Sequence, residues 1–222
     1  MMNLKLQYNQ IGENYLDGQH AFFSKREDWG RKLMLEMLLD INGKSIIDIG
    51  CGDGTDVKEY KKRGAAAITA VDSSEYMIKE ARKQIGGISN VMLGEYEHIP
   101  VDDETFDIVT GRYSMHYLDS FDKAYEEMSR VLKPGGYFVL LLPDPVGDTH
   151  MKIEKDDTRQ IVCVPLYGGK VTVKYPLHSF SQYFSDSFLR LFALEGFKEF
   201  IQEEVEPGFI VPTAMVIKAR KK

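Results

Sequence analysis

Short apolar runs alternate with helical patterns along most of the chain. Ser45–Ile49, Ala67–Val71, Val91–Leu93, Phe106–Thr110 and Tyr137–Leu142 predict buried strands. Thr55–Arg63, Ser74–Gln84 and Phe121–Leu132 predict the helices between them, the last one stopped by Pro134 and the two glycines of "KPGG". This alternation implies an α/β fold, a Rossmann-like three-layer αβα sandwich around a mostly parallel sheet. Two more helical patterns precede it, near Tyr8–His20 and Lys25–Leu39. After the fifth strand, "RQIVCVPLYGGKVTVKYP" alternates around Gly168-Gly169 and predicts an inserted β-hairpin. A helix over Ser181–Glu195, stopped by Gly196, comes next. Strands Lys198–Val205 and Ile210–Lys218 follow, joined at Pro207-Gly208, so a seven-stranded sheet ends in an antiparallel hairpin. One domain over 1–222 is expected, with an N-terminal helical lid (1–39), a core (44–143), a covering insertion (144–187) and a closing segment (188–222).

Composition narrows the function. The 222 residues are long enough for one buried core, and the formal charge of −6 argues against broad phosphate-backbone binding. The basic runs Lys58–Arg63 and Lys218–Lys222 read as solvated faces. Two widely separated cysteines, Cys51 and Cys163, imply neither a disulfide framework nor a zinc site. The N-terminal stretch has no apolar signal region, and the longest apolar run is too short to span a bilayer. A reducing cytoplasmic setting, without membrane or nucleic-acid partners, is expected.

The candidate chemistry starts at "IIDIGCGDGTD". A strand, a glycine turn and a helix place bare backbone where a ligand can approach closely. The spacing is G-x-G-x-G rather than the dinucleotide G-x-G-x-x-G, because position 55 is Thr55. Asp48 and Asp53 would repel a pyrophosphate but welcome a cation. Asp72, 22 residues after Gly50 at the tip of the second strand, stands where an acid takes both hydroxyls of a ribose.

In this order "IIDIGCGDGTD", "AVDSSEYM", "GEYEHIP", "FDIVTGRYSMHYL" and "VLKPGG" resemble a class I S-adenosylmethionine (SAM)-dependent methyltransferase of the type 11 kind, over about Lys44 to Pro143. The resemblance implies SAM as cofactor. It places Asp48, Gly50, Cys51 and Gly52 at the amino-acid end of the cofactor, Asp72 at the ribose, and Glu95 and Tyr96 at the adenine amino group. Ser73 and Met77 would wall the adenine, Arg112 would line the cofactor edge, and Tyr15 would close over it. The implied activity is methyl transfer (EC 2.1.1.-) to an O or N atom of a small molecule. A SAM-binding protein without methyl transfer, or a nicotinamide-dependent oxidoreductase, remains an alternative.

The turn "GRYSMHYLDS" lacks both the Asn/Asp-Pro-Pro-aromatic element with which related enzymes methylate exocyclic or amide nitrogens and the Pro-Cys nucleophile that attacks cytosine, which counts against a nucleic-acid base as substrate. His116 is its candidate base or positioning group, and His178, beyond the insertion, is a second. Asp144, Asp148 and His150 in "PDPVGDTH" are metal-ligand types, but the two prolines make the stretch an exit loop, so no metal is expected. The pattern leaves the acceptor and the oligomeric state open.

Overall fold

The structure, a computed structural model, describes residues 6–156, 158–201, 204–206 and 209–222. Helices α1 (Tyr8–Phe23) and α2 (Trp29–Met37) lead into β1 (Ser45–Ile49), α3 (Thr55–Lys62), β2 (Ala67–Asp72), α4 (Glu75–Ile85), β3 (Asn90–Leu93) and β4 (Phe106–Arg112). A 3-10 turn, Met115–Tyr117, precedes α5 (Asp122–Val131) and β5 (Leu132–Pro143). Then come α6 (Pro145–Asp148), β6 (Lys152–Lys155), β7 (Gln160–Leu166), β8 (Val171–Pro176), α7 (Phe180–Tyr183) and α8 (Asp186–Leu191). The described chain finishes with β9 (Phe192–Phe200), β10 (Glu204–Glu206), β11 (Phe209–Ile210) and β12 (Ala214–Lys221).

The main sheet runs β3-β2-β1-β4-β5-β12-β9, with β1 to β5 parallel and β12 antiparallel to both of its neighbours. Its apolar runs are explained by burial on two faces. In β5, Phe138, Leu140 and Leu142 join one core with Tyr125 and Met128 of α5 and Phe188 of α8. Val139 and Leu141, pointing the other way, join a second core with Met34 of α2 and Val57 and Tyr60 of α3. Strand order reverses between β1 and β4, and a crevice opens there beyond their carboxyl ends.

Three expectations change. The insertion is a three-stranded antiparallel sheet, β6-β7-β8, rather than a hairpin, because Lys152–Lys155 also pairs with β7. The helix expected over Ser181–Glu195 is two short ones: Ser179 and Gln182 form a capping box on the first, and Ser185 caps the second through Phe188 N. Gly196 therefore does not stop a helix. It lies within β9, where a Cβ would come 2.8 Å from Met37 Cε, so the glycine makes room for α2. The expected closing strands are each divided, β10 and β11 forming their own small sheet. The turn expected at Pro207-Gly208 lies outside the described residues.

Candidate active site

The glycine loop leaves β1 at the point where the sheet reverses. Gly50 N–H donates to Val71 O at 2.7 Å with φ +76°, and Gly52 N–H donates to Asp72 Oδ2 at 3.0 Å with φ +56°. A Cβ on Gly50 would stand 2.2 Å from Ser114 Cβ, and one on Gly54 2.5 Å from Ile85 Cδ1. Bare backbone is thus required for the turn itself as well as for access. Asp72 Oδ1 accepts from Ser74 N at 2.8 Å. Burial pushes the Asp72 carboxyl up to about 6, against the lowering effect of these amides. A cleft of about 90 Å³ lies over the loop, lined by Gly50, Gly52, Asp72, Ser73, Met77, Ser114 and Leu118, with Tyr8, Tyr15, Arg112, Tyr113 and Tyr117 around its mouth.

Of the expected cofactor residues, Gly50, Gly52, Asp72, Ser73, Met77, Arg112 and Tyr15 come together on this cleft, whereas Asp48, Cys51, Glu95 and Tyr96 do not line it. Asp48 lies beneath the loop, where its Oδ1 accepts from Thr110 Oγ1 at 2.8 Å. Burial and then the neighbouring Asp56 push its carboxyl up. Cys51 is buried, its Sγ directed to Gly52 O. Tyr96 supports the loop from below, its hydroxyl donating to Ile49 O at 3.1 Å and meeting Ser114 Oγ at 2.9 Å. Glu95 bridges to His98 at the end of β3's connection. Arg112 reaches the cleft, but its guanidinium is taken by Asp56 at 2.6 Å and Asp28 at 3.1 Å. Arg31 of α2 also pairs with Asp56, at 2.5 Å. Gly111 backs onto Tyr96, and a Cβ there would fall 2.0 Å from its hydroxyl and 3.1 Å from Ile49 O. Gly111→Ala is expected to cost about 1–3 kcal/mol by overpacking; an unchanged denaturant midpoint would show that Tyr96 moves freely.

Helix α1 contributes Tyr8 and Tyr15 to the cleft and is tied to the core around it. Tyr8 Oη meets Tyr117 Oη at 2.6 Å, Ser74 Oγ donates to Asn9 Oδ1 at 2.7 Å, and His20 Nε2 contacts Asp53 Oδ2 at 2.8 Å. Gly12 and Gly18 seat the rings of Tyr76 and Tyr167, where a Cβ would fall within 2.5 Å of ring atoms. Beyond the shared residues Tyr8, Tyr15, Arg112, Tyr113 and Tyr117 lies a chamber of about 440 Å³ under the insertion, walled by Phe22, Phe23, Trp29, Tyr167 and Tyr175. Tyr113 and Ser114 carried no separate signal in the sequence, and Tyr113 adopts φ +50° just past β4.

His116 lines the chamber, tilted on Tyr117 at 4.1 Å and edge-on to Tyr175 at 4.5 Å. Burial, and then His178, hold its imidazole well below the usual range, so it stays neutral. His178 lines neither cavity. Its Nε2 donates to His116 O at 2.9 Å and its ring packs on Phe121, so it holds the 3-10 turn in place. Among the described residues no group of three or more His, Cys, Asp or Glu side chains could hold a metal ion, and no helix is long and apolar enough to cross a membrane.

A sulfonium nucleoside fits this cleft. Bare backbone at Gly50 and Gly52 and a buried carboxylate at Asp72 face it, and the one cation on its wall, Arg112, is already paired. Residues 47–140 match the methyltransferase-domain family. A demethylmenaquinone methyltransferase of Thermobifida fusca is 32% identical over 137 residues, 60% of this chain and 58% of that one. The chain spans about half the length of the curated relatives it matches. The crystal structure of a SAM-dependent methyltransferase from Mesorhizobium loti superposes with a TM-score of 0.69 at 20% identity, over 86% of this chain and 96% of that one. One from Aquifex aeolicus gives 0.60 at 19%, over 87% and 89%. At such identities the likeness is one of fold. Taken with the family match and the cleft, it makes the chain similar to SAM-dependent methyltransferases over residues 47–140, and the cofactor this implies is SAM.

Proposed function

We propose that this protein transfers the methyl group of SAM to an O or N atom of a small molecule held in the aromatic chamber, in the cytoplasm. The observation that carries this reading is the five-residue wall shared by cleft and chamber, which brings the cleft over the glycine loop and a larger second cavity edge to edge. Asp72 takes the ribose hydroxyls, Gly50 and Gly52 carry the amino-acid end with Asp48 stiffening β1 beneath them, and Ser73 and Met77 border the adenine. Tyr15, with Tyr8, closes the mouth. SAM supplies a methyl group activated by its positive sulfur. The chain's own residues align the acceptor and exclude water, effects worth on the order of 7–11 kcal/mol in well-oriented systems. The −6 net charge and the enclosure under α1 and the insertion favour a small acceptor over a nucleic acid.

Calorimetric titration with S-adenosylhomocysteine (SAH), the demethylated product, is expected to show micromolar binding, with no heat from NADH. Silence with SAH would overturn the cofactor assignment. Binding of SAH without methyl transfer to any member of a broad acceptor panel would instead leave a protein that holds SAM for another purpose.

A further inference from the structure

Asp148 ends α6 on the chamber wall and is 4% exposed, yet only half of its carboxylate is satisfied. Oδ1 accepts from the Tyr175 hydroxyl at 2.7 Å, whereas Oδ2 is buried with no hydrogen-bond partner. Buried polar atoms are rarely left in that state; neighbouring Asp144, whose Oδ2 is also buried without a partner, is a second acid and not a donor, whereas a ligand in the chamber can supply one. Of the acids on the chamber wall, Glu27 pairs with Lys32 at 3.1 Å and Asp28 with Arg112 at 3.1 Å, which leaves Asp148 without a cationic partner, and Arg112 is held by Asp28 and Asp56. An anionic acceptor would find no free cation on these walls. A cation would find the Asp148 carboxylate among aromatic side chains such as Tyr167 and Tyr175. Neutral His116 adds no competing positive charge.

We propose that the chamber takes its acceptor as a protonated amine, with the ammonium group donating to Asp148 Oδ2, and that the nitrogen is the methylated atom. This rests on the small-molecule methyltransferase reading and names its acceptor class. One ammonium proton passes to Asp148, and the lone pair so freed forms the new N–C bond. The carbon–sulfur bonding pair stays on sulfur, giving SAH and a methylated ammonium. Burial pushes the Asp148 carboxyl up to about 7, so near neutral pH it can serve as counter-ion and then as proton acceptor.

The test is calorimetric titration of the SAH-loaded protein with phenethylamine and its N-methyl derivative, against the near-isosteres 2-phenylethanol and 4-ethylphenol. SAM turnover on the same four compounds is followed by mass spectrometry. The amines are expected to bind at least tenfold more tightly than either hydroxyl compound and to gain one methyl each. Asp148→Asn should lose at least tenfold in amine affinity, with SAH affinity and 2-phenylethanol affinity unchanged. The proposal is overturned if SAH binds but the hydroxyl compounds bind as well as the amines, if none of the four binds, or if folded Asp148→Asn keeps its amine affinity. The comparison in the unaltered protein decides the matter even where Asp148→Asn does not fold. Failure of SAH itself to bind would sink the underlying methyltransferase reading instead.

Discussion

Arg112→Ala is expected to destabilise the protein by about 3–5 kcal/mol, the cost of removing one partner from a buried ion pair. The guanidinium Nε lies 2.6 Å from Asp56 Oδ2 and one terminal nitrogen 3.1 Å from Asp28 Oδ2. The side chains of Arg112 and Asp56 are only 14% and 7% exposed. Burial alone would raise the Asp56 carboxyl, but Arg112 and then Arg31 outweigh it and hold it below its usual range. In the variant Asp56 would keep only Arg31, and Asp28 would lose its partner while still capping α2 through Arg31 N. Three elements meet at this one side chain: the start of α2, the first turn of α3 and the end of β4. Arg112→Lys should recover less than half of the loss, because a single ammonium does not bridge two carboxylates as a guanidinium fork does. Urea unfolding measures both variants. A loss below about 1 kcal/mol for the alanine variant, the range of exposed pairs, would show that the cluster is open to solvent and does not join the three elements.

That cluster also marks what a linear reading misses. Asp28, Arg31, Asp56 and Arg112 are scattered over 85 residues, and nothing in their spacing joins them, Arg112 reading as a cofactor-edge residue, until the sheet brings α2, α3 and β4 together. The parallel core was legible because its strands are buried on both faces and so read as unbroken apolar runs. The glycine loop and Asp72 were legible because their spacing is local to one βαβ unit. The helix over 181–195 misled for a physical reason. Phe180, Phe184, Phe188 and Phe192 recur every four residues as a helix face would, yet they pack in or against one core from α7, the turn after it, α8 and the start of β9. Asp148 read as part of an exit loop, since its burial depends on β8, whose Tyr175 reaches it from 27 residues away. Likewise Gly196 carries the mark of a helix stop in sequence, and only contact with Met37 shows its other use.

Asp72→Ala should weaken cofactor binding about a hundredfold, or about 3 kcal/mol. Hydrogen bonds to a charged group contribute about 1.5–3 kcal/mol each, and this carboxylate has two tasks. It takes the ribose hydroxyls in the proposed complex, and it already fixes the loop through Gly52 N and Ser74 N. Asp72→Asn keeps the size of the side chain but exchanges one acceptor oxygen for a donor, so it should fall between wild type and alanine. The pH dependence follows from burial, which pushes the carboxyl up to about 6. Two opposite trends result. A carboxyl raised on folding contributes stability that is fully present below its unfolded value of about 4 and is lost as pH rises through about 6. Cofactor binding draws on the ionised form, so this group's share of SAH affinity grows over that same window and is complete above about pH 7. Calorimetry at pH 5, 6 and 7.5 should therefore show SAH affinity rising by up to about tenfold in wild type, with a flatter profile in Asp72→Asn. Equal affinity in wild type and folded Asp72→Ala would remove Asp72 from the ribose, and the same pH slope in both would assign the proton to another group on the cleft.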